Sequence, residues 1–289
     1  MNSVTFQILS SFFFSLLGME IKYFSNQINI ESIVFYRCLL GFIIVTLIIL
    51  IKEKGMKSLK TKNFKIHILR ASFGTSAMLF GYSALLYIPL AQATAIGFTK
   101  TFFVILLATL FLKEKFEKSN LILAIFGFFG VYYSISPDDI NHIYGSFLCL
   151  AAALCVACGI ISISYLSKKE KTLTIIFYHS FISTIITLII FRSSLDYLSL
   201  SNYFSVIIIC ITALSGQYFN IKSYRDGITS KIIIIGYTRI LFSFLLGYFV
   251  FSEKFDFSQL FGLLMIILTT LSTLKVKKKI KDKDKDSLG

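Results

Sequence analysis

Apolar positions along this chain come in runs about twenty residues long, with polar residues gathered between them. The runs fall at approximately 4–24, 31–51, 66–87, 91–112, 119–136, 142–166, 173–192, 203–222, 230–251 and 256–274. Twenty helical residues rise about 30 Å, the thickness of a bilayer's hydrocarbon core. The pattern therefore predicts an all-α integral membrane protein with ten transmembrane helices. Links between the runs are short, so neighbouring helices are expected to be antiparallel. The first run follows Met1 without a basic leader or a small-residue cleavage site, and is read as a retained helix rather than a signal peptide.

Lysine and arginine give these helices a direction. Six lysines lie in "KEKGMKSLKTKNFK" after the second run, and further clusters follow the fourth ("KEKFEK"), sixth ("KKEK"), eighth and tenth runs. Of 29 basic residues, only Lys22, Arg192 and Lys254 lie on the opposite side, and Arg37, Arg70, Lys100 and Arg239 fall inside runs. Basic loops stay cytoplasmic, so both termini are expected in the cytoplasm, in the inner (plasma) membrane of a bacterial cell. The lysine-rich tail 276–289 reads as a charged cytoplasmic end.

Composition agrees with the membrane assignment. The chain is 56% hydrophobic and 15% charged, with a mean hydropathy of +0.78, whereas soluble domains carry about a quarter charged residues. The net charge of +14 is accordingly topological and not a nucleic-acid signal. All five cysteines (Cys38, Cys149, Cys155, Cys158 and Cys210) lie in apolar runs and read as small core residues. Cys155 and Cys158 form a CxxC spacing, but in a helical segment and without a second ligand pair; no phosphate-binding loop appears, and His67, His142 and His179 are scattered without a ligand spacing. No enzymatic activity, cofactor or metal is expected.

A repeat runs through the chain. "IGFTKTFF" from Ile96 matches "IGYTRILF" from Ile235, 139 residues on, and "KEKFEKSN" from Lys113 lies over "SEKFDFSQ" from Ser252 at the same offset. Near that offset "VFYRCLLG" resembles "IFYHSFIS", placing Arg37 over His179. Five spans per copy is an odd number, so the second copy enters the membrane inverted. The expected organisation is two inverted five-helix repeats, 1–137 and 138–275, with a solute site near the midplane where they meet.

The stretches "FYRCLLG", "LLYIPLAQATAIGFTKTFFVILLATLFLKEKF" and "IIIIGYTRILFSFLLGYFVFSEKF" resemble the EamA family of the drug/metabolite transporter superfamily. The resemblance covers the chain to about residue 275. It implies a secondary transporter whose central cavity is lined by spans one, three, four, six, eight and nine. It is specific for fold and transporter class and weak for the solute.

Candidate site residues follow from the intramembrane cations. Lys100 and Arg239 each lie nine residues into a span, about 14 Å deep. A central Lys or Arg costs about 2.5–3.5 kcal/mol on insertion scales, which must be offset by a wet cavity or a partner. Glu20, the one acid inside a span, cannot neutralise both. Gly97 and Gly236, three residues before each cation, leave room for a ligand or for close helix approach. Gln217 and Asn220 share a face of span eight, and Tyr82 and Tyr237 add polar groups. The substrate-binding set is therefore Lys100, Arg239, Gly97, Gly236, Tyr82, Gln217, Asn220 and Tyr237. Arg37, His179 and Glu20 are read as coupling or structural residues, with Arg37 snorkelling outward or pairing with Glu20. The alternative for Lys100 and Arg239 is a packing role on backbone carbonyls.

The expected substrate is a small anionic or zwitterionic metabolite. Export of amphiphilic, drug-like compounds, uptake of S-adenosylmethionine-type molecules, and a non-transporting scaffold or receptor are the alternatives. The expected partners are the solute and the lipid bilayer, without nucleic acid, with the chain a monomer or homodimer.

Overall fold

A computed structural model describes residues 2–25, 27–52, 59–88, 93, 96–133, 143–195 and 198–251, and scattered positions of 257–272. Within these residues the secondary structure is helical: α1 (Ser3–Phe24), α2 (Ile30–Lys52), α3 (Phe64–Tyr87), α4 (Lys100–Leu112), α5 (Lys118–Tyr133), α6 (Ile143–Ser167), α7 (Thr172–Phe191), α8 (Leu200–Arg225), α9 (Thr229–Ile235) and α10 (Thr238–Phe251). Six segments are long and apolar enough to cross a membrane, counting α9 and most of α10 as one. The expected tenth span, the tail 276–289 and the links 53–58 and 134–142 lie largely or wholly outside the described residues.

Two expected spans are not single smooth helices. Span nine breaks at Gly236–Tyr237, between α9 and α10, and α4 starts only at Lys100, after a turn at Phe98–Thr99. At both breaks backbone bonds tighten to i→i−3: Thr99 N to Ile96 O (3.0 Å) and Thr101 N to Phe98 O (2.9 Å), then Tyr237 N to Ile234 O (3.0 Å) and Arg239 N to Gly236 O (3.0 Å). In each break a threonine hydroxyl bonds back to the main chain, Thr99 to Ile96 O (2.7 Å) and Thr238 to Ile235 O (2.9 Å). Such back-bonding competes with the regular helical ladder and bends the helix.

Packing pairs the helices. α3 lies against α6 and α1 against α8; α2 packs on α7; α4 touches α6, and α1 touches both α9 and α10; α4 and α9 meet each other. The main core holds Ile160, Ile163 and Leu166 of α6, Ile221 and Tyr224 of α8, and Ile232 to Ile235 of α9.

Where the lysine-rich links gather, carboxylates tie the elements together. Glu114, just after α4, caps the start of α9: it accepts from Thr229 N (2.8 Å), Ser230 N (3.1 Å) and Ser230 Oγ (2.7 Å). Two orphan backbone donors at that helix start, and the Ser230 hydroxyl, thus find one carboxylate, whose charge also complements the helix dipole. Glu117 pairs with Lys231 at 3.0 Å. Glu170, between α6 and α7, accepts from Thr61 and from Asn63 Nδ2 (3.0 Å), and meets His67 Nε2 at 2.7 Å. Arg225 closes the cluster through Ser167 O (2.9 Å), Glu170 O (3.0 Å) and Thr172 Oγ1 (2.9 Å). Burial alone would raise the carboxyl pKa of Glu114 and Glu170, but the donated hydrogen bonds hold both below the ordinary value of 4.5. Charge patterning marked these links only as basic; the acids within them are structural.

Candidate substrate cavity

A cavity of about 280 Å³ lies among the helices. Its wall comes from α1 (Gln7, Ser11), α2 (Arg37), α3 (Arg70, Tyr82), span four (Gly97, Lys100), α6, α7 (His179), α8 (Gln217, Asn220) and span nine (Gly236, Arg239). The expected lining from spans one, three, four, six, eight and nine is present, and spans two and seven also contribute one charged or titratable residue each.

The helix breaks explain how the cations reach the cavity. Lys100 is the first residue of α4 and Arg239 the second of α10, each directly after the interrupted turn. Lys100 Nζ lies 5.0 Å from the Phe98 ring centroid, over a face that attracts a cation. Arg239 holds Ser15 and Ser243 through its carbonyl (2.7 and 3.0 Å), whereas its guanidinium Nε is buried without a hydrogen-bond partner. The charge of Arg239 acts on Lys100, so the two heads share one electrostatic neighbourhood. A Cβ at Gly97 would meet nothing within 4 Å, leaving open space beside Lys100. Gly236 differs: its Cβ would come 2.8 Å from Ile233 O and 3.1 Å from Gln7 Nε2, so this glycine permits close approach within the break.

Other expected residues divide. Tyr82, Gln217 and Asn220 line the cavity, and Gln217 Oε1 is buried without a partner. Tyr237 does not line it. It is fully buried, donates to Ala124 O of α5 (2.9 Å) and packs against Phe98 at 4.8 Å between ring centroids. It lies two residues before Arg239 in sequence, yet Tyr237 is held against α5 while Arg239 lines the cavity. Glu20 also lies outside the wall and accepts from Thr212 Oγ1 (2.9 Å). Arg37 neither snorkels nor pairs with Glu20: it is 6% exposed, and Nη1 lies against Met78 Sδ and donates to Tyr82 Oη (2.6 Å).

One cavity cation was given no role by sequence reasoning. Arg70 lies six residues into α3, about 9 Å from its start, where a long side chain could snorkel out. Instead the side chain extends along its own helix towards Gly74. A Cβ there would sit 2.2 Å from Arg70 Nη1 and 2.7 Å from His179 Cε1. The glycine one turn ahead of the arginine was the available signal. Four cations (Arg37, Arg70, Lys100 and Arg239) therefore line the cavity, and no described carboxylate does. Among the described residues no cluster of three or more His, Cys, Asp or Glu could hold a metal ion.

The model of the EamA-like transporter family matches residues 1–136 and 143–274. The chain belongs to this family. Among its relatives, the pseudopaline exporter CntI of Pseudomonas aeruginosa is 24% identical over 282 residues, covering 96% of this chain and 97% of that one. The S-adenosylmethionine uptake transporter of Rickettsia conorii is 26% identical, with 92% and 90% covered. A riboflavin transporter of Brucella anthropi is 31% identical over 192 residues, 63% of this chain and 66% of its own. A crystal structure at 11% identity superposes with a TM-score of 0.77, over 96% of this chain and 97% of that one, which shows a common fold. This EamA-family chain is thus a multi-pass membrane protein and a transporter of small molecules.

Proposed function

We propose that this protein is a secondary transporter of a small anionic or zwitterionic metabolite, working by alternating access between two inverted five-helix repeats (1–137 and 138–275). The observation that carries the reading is the cavity wall, with four cations and no described carboxylate. Uncompensated charges in a low-dielectric interior are costly, and a bound anion removes that cost. The cavity volume of about 280 Å³ falls just below the roughly 300–1,000 Å³ range of small-molecule sites, which favours a small metabolite over a large amphiphile. A cationic wall also repels the cationic compounds many exporters carry. The relatives named above serve different solutes, so the wall and not the family selects the class.

Several features support the repeat. The family model matches the two halves separately. Helix contacts keep their pattern when each span is exchanged with the one five later: three on six becomes eight on one, and two on seven maps onto itself. The threonine back-bonds at the two breaks are equivalent in this exchange. The lysine bias supports ten spans with both termini cytoplasmic, in a bacterial plasma membrane. Exchange or facilitated diffusion needs no intramembrane acid, and Glu20 stands away from the cavity.

Counterflow in proteoliposomes, run over a panel of labelled anionic, zwitterionic and cationic metabolites, tests the reading. Each of Lys100→Gln and Arg239→Gln is expected to reduce transport about 10–100-fold, the equivalent of a lost charged hydrogen bond worth ~1.5–3 kcal/mol. Wild-type rates in both variants, or a preference for cations, would remove the paired-cation site.

A further inference from the structure

The wall holds more positive charge than one anionic group needs, and the charge is divided. Lys100 and Arg239 stand at the helix breaks of spans four and nine. Arg37, Arg70 and His179 form a second group on α2, α3 and α7, where the charges of Arg37 and Arg70 act on each other and on His179. Arg70 is 8% exposed, donates no hydrogen bond to a described residue, and has its Nε buried without a partner. Its Nη1 passes between Gly74 of α3 and Gly159 of α6, whose Cβ would lie 3.9 Å away. Tyr82 accepts from Arg37 Nη1 (2.6 Å) and lines the same cavity as Arg239. His179 is positioned by Ser183 (3.3 Å), itself bonded to Thr75 (2.7 Å).

A structural arginine normally spends its five donors on carbonyls or carboxylates. Arg70 does not, although two glycines and a buried imidazole are arranged around its head. The arrangement suits a ligand that is absent from the protein itself.

We infer that Arg70, with Arg37 and His179, forms a second anion subsite, and that the transported solute carries two separated anionic groups. One group meets Lys100 and Arg239, and the other meets the Arg70 guanidinium in the fork geometry suited to carboxylate or phosphate. Gly74 is part of the subsite because any side chain there would displace the guanidinium. The inference rests on reading the cavity as the transport site, and its test separates the two.

Purified protein in detergent is titrated with succinate, glutarate, adipate and 3-phosphoglycerate, and with butyrate and inorganic phosphate as single-group probes. Ligand-dependent thermal stabilisation gives each Kd. At least one two-group probe is expected to bind tenfold or more tightly than the single-group probes. Arg70→Gln and Gly74→Ala should erase that advantage, so that two-group and single-group probes bind with similar Kd. Arg70→Lys, which keeps the charge and loses the fork, should retain part of it and controls for folding. Lys100→Gln should weaken all probes together. If no two-group probe gains over its single-group counterpart, or Arg70→Gln keeps the full advantage, the second subsite is overturned. The paired-cation site would survive either result provided Lys100→Gln still weakens the single-group probes. A carboxylate series that gains where 3-phosphoglycerate does not, or the reverse, identifies which anion the Arg70 subsite takes.

Discussion

At the scale of single residues, the same amino-acid pair carries opposite meanings in the two halves of the chain. Phe98 and Tyr237 are repeat mates, yet only Phe98 faces the cavity, beneath Lys100, while Tyr237 is pinned to α5 through Ala124. Gly127 of α5 makes room for that tyrosine: a Cβ would fall 2.4 Å from its ring. A buried ring with a fixed hydroxyl yields poorly, so Gly127→Ala is expected to destabilise the protein by about 1–3 kcal/mol through overpacking. Tyr237→Phe removes one buried hydrogen bond and should cost about 1 kcal/mol. Thermal unfolding in detergent should show both losses, and the solute preference in counterflow should not change. The sequence made Lys100, Arg239, Tyr82, Gln217 and Asn220 legible because depth and helical spacing locate cavity-facing groups. It misassigned Tyr237 because a broken helix does not keep the 3.6-residue phase, and it passed over Arg70 because depth alone cannot say which way a long side chain turns.

At the scale of elements, hydropathy located the spans but not their interruptions. Apolar runs continue through Phe98–Thr99 and Gly236–Tyr237, so nothing in their periodicity reports a change to i→i−3 bonding. The repeated glycine and threonine of "IGFT" and "IGYT" are the cue to those interruptions. The links were likewise read for their lysines, whereas Glu114 and Glu170 fasten the ends of the helices they join. Both carboxyls titrate below their ordinary value in the folded protein. Their stabilising contribution is therefore complete above about pH 4.5 and is lost as the pH falls towards the lowered folded values. Thermal stability should drop as the pH falls below about 4.5. Glu114→Gln, Glu170→Gln and above all the double variant should be less stable at pH 7 and show a shallower acid dependence. An unchanged pH profile in the double variant would mean that these acids do not carry the linkage.

At the scale of the whole molecule, the inverted repeat proposed above has a consequence for motion. Here α4 meets α9, and Glu114, Glu117 and Glu170 bridge first-half and second-half elements at the lysine-rich end. The repeat exchange maps α4 onto α10 and α9 onto the stretch before Lys100, so the alternative state would bring those two together at the opposite end instead. Opening the lysine-rich end then requires α9 to leave α4 and α6. Ser164 of α6 and Thr229 of α9 are bonded side chain to side chain at 2.7 Å, which makes them a direct probe of that separation. In a background lacking the five native cysteines, Ser164→Cys with Thr229→Cys is expected to form a disulfide on oxidation and to stop counterflow, with recovery on reduction. Each single variant should transport normally under the same oxidant. Solute binding should survive the cross-link, because Lys100, Arg239 and Arg70 lie towards the centre and remain reachable from the other end. Full transport with the disulfide formed would show that α6 and α9 move as one body, and would place the moving boundary elsewhere in the bundle.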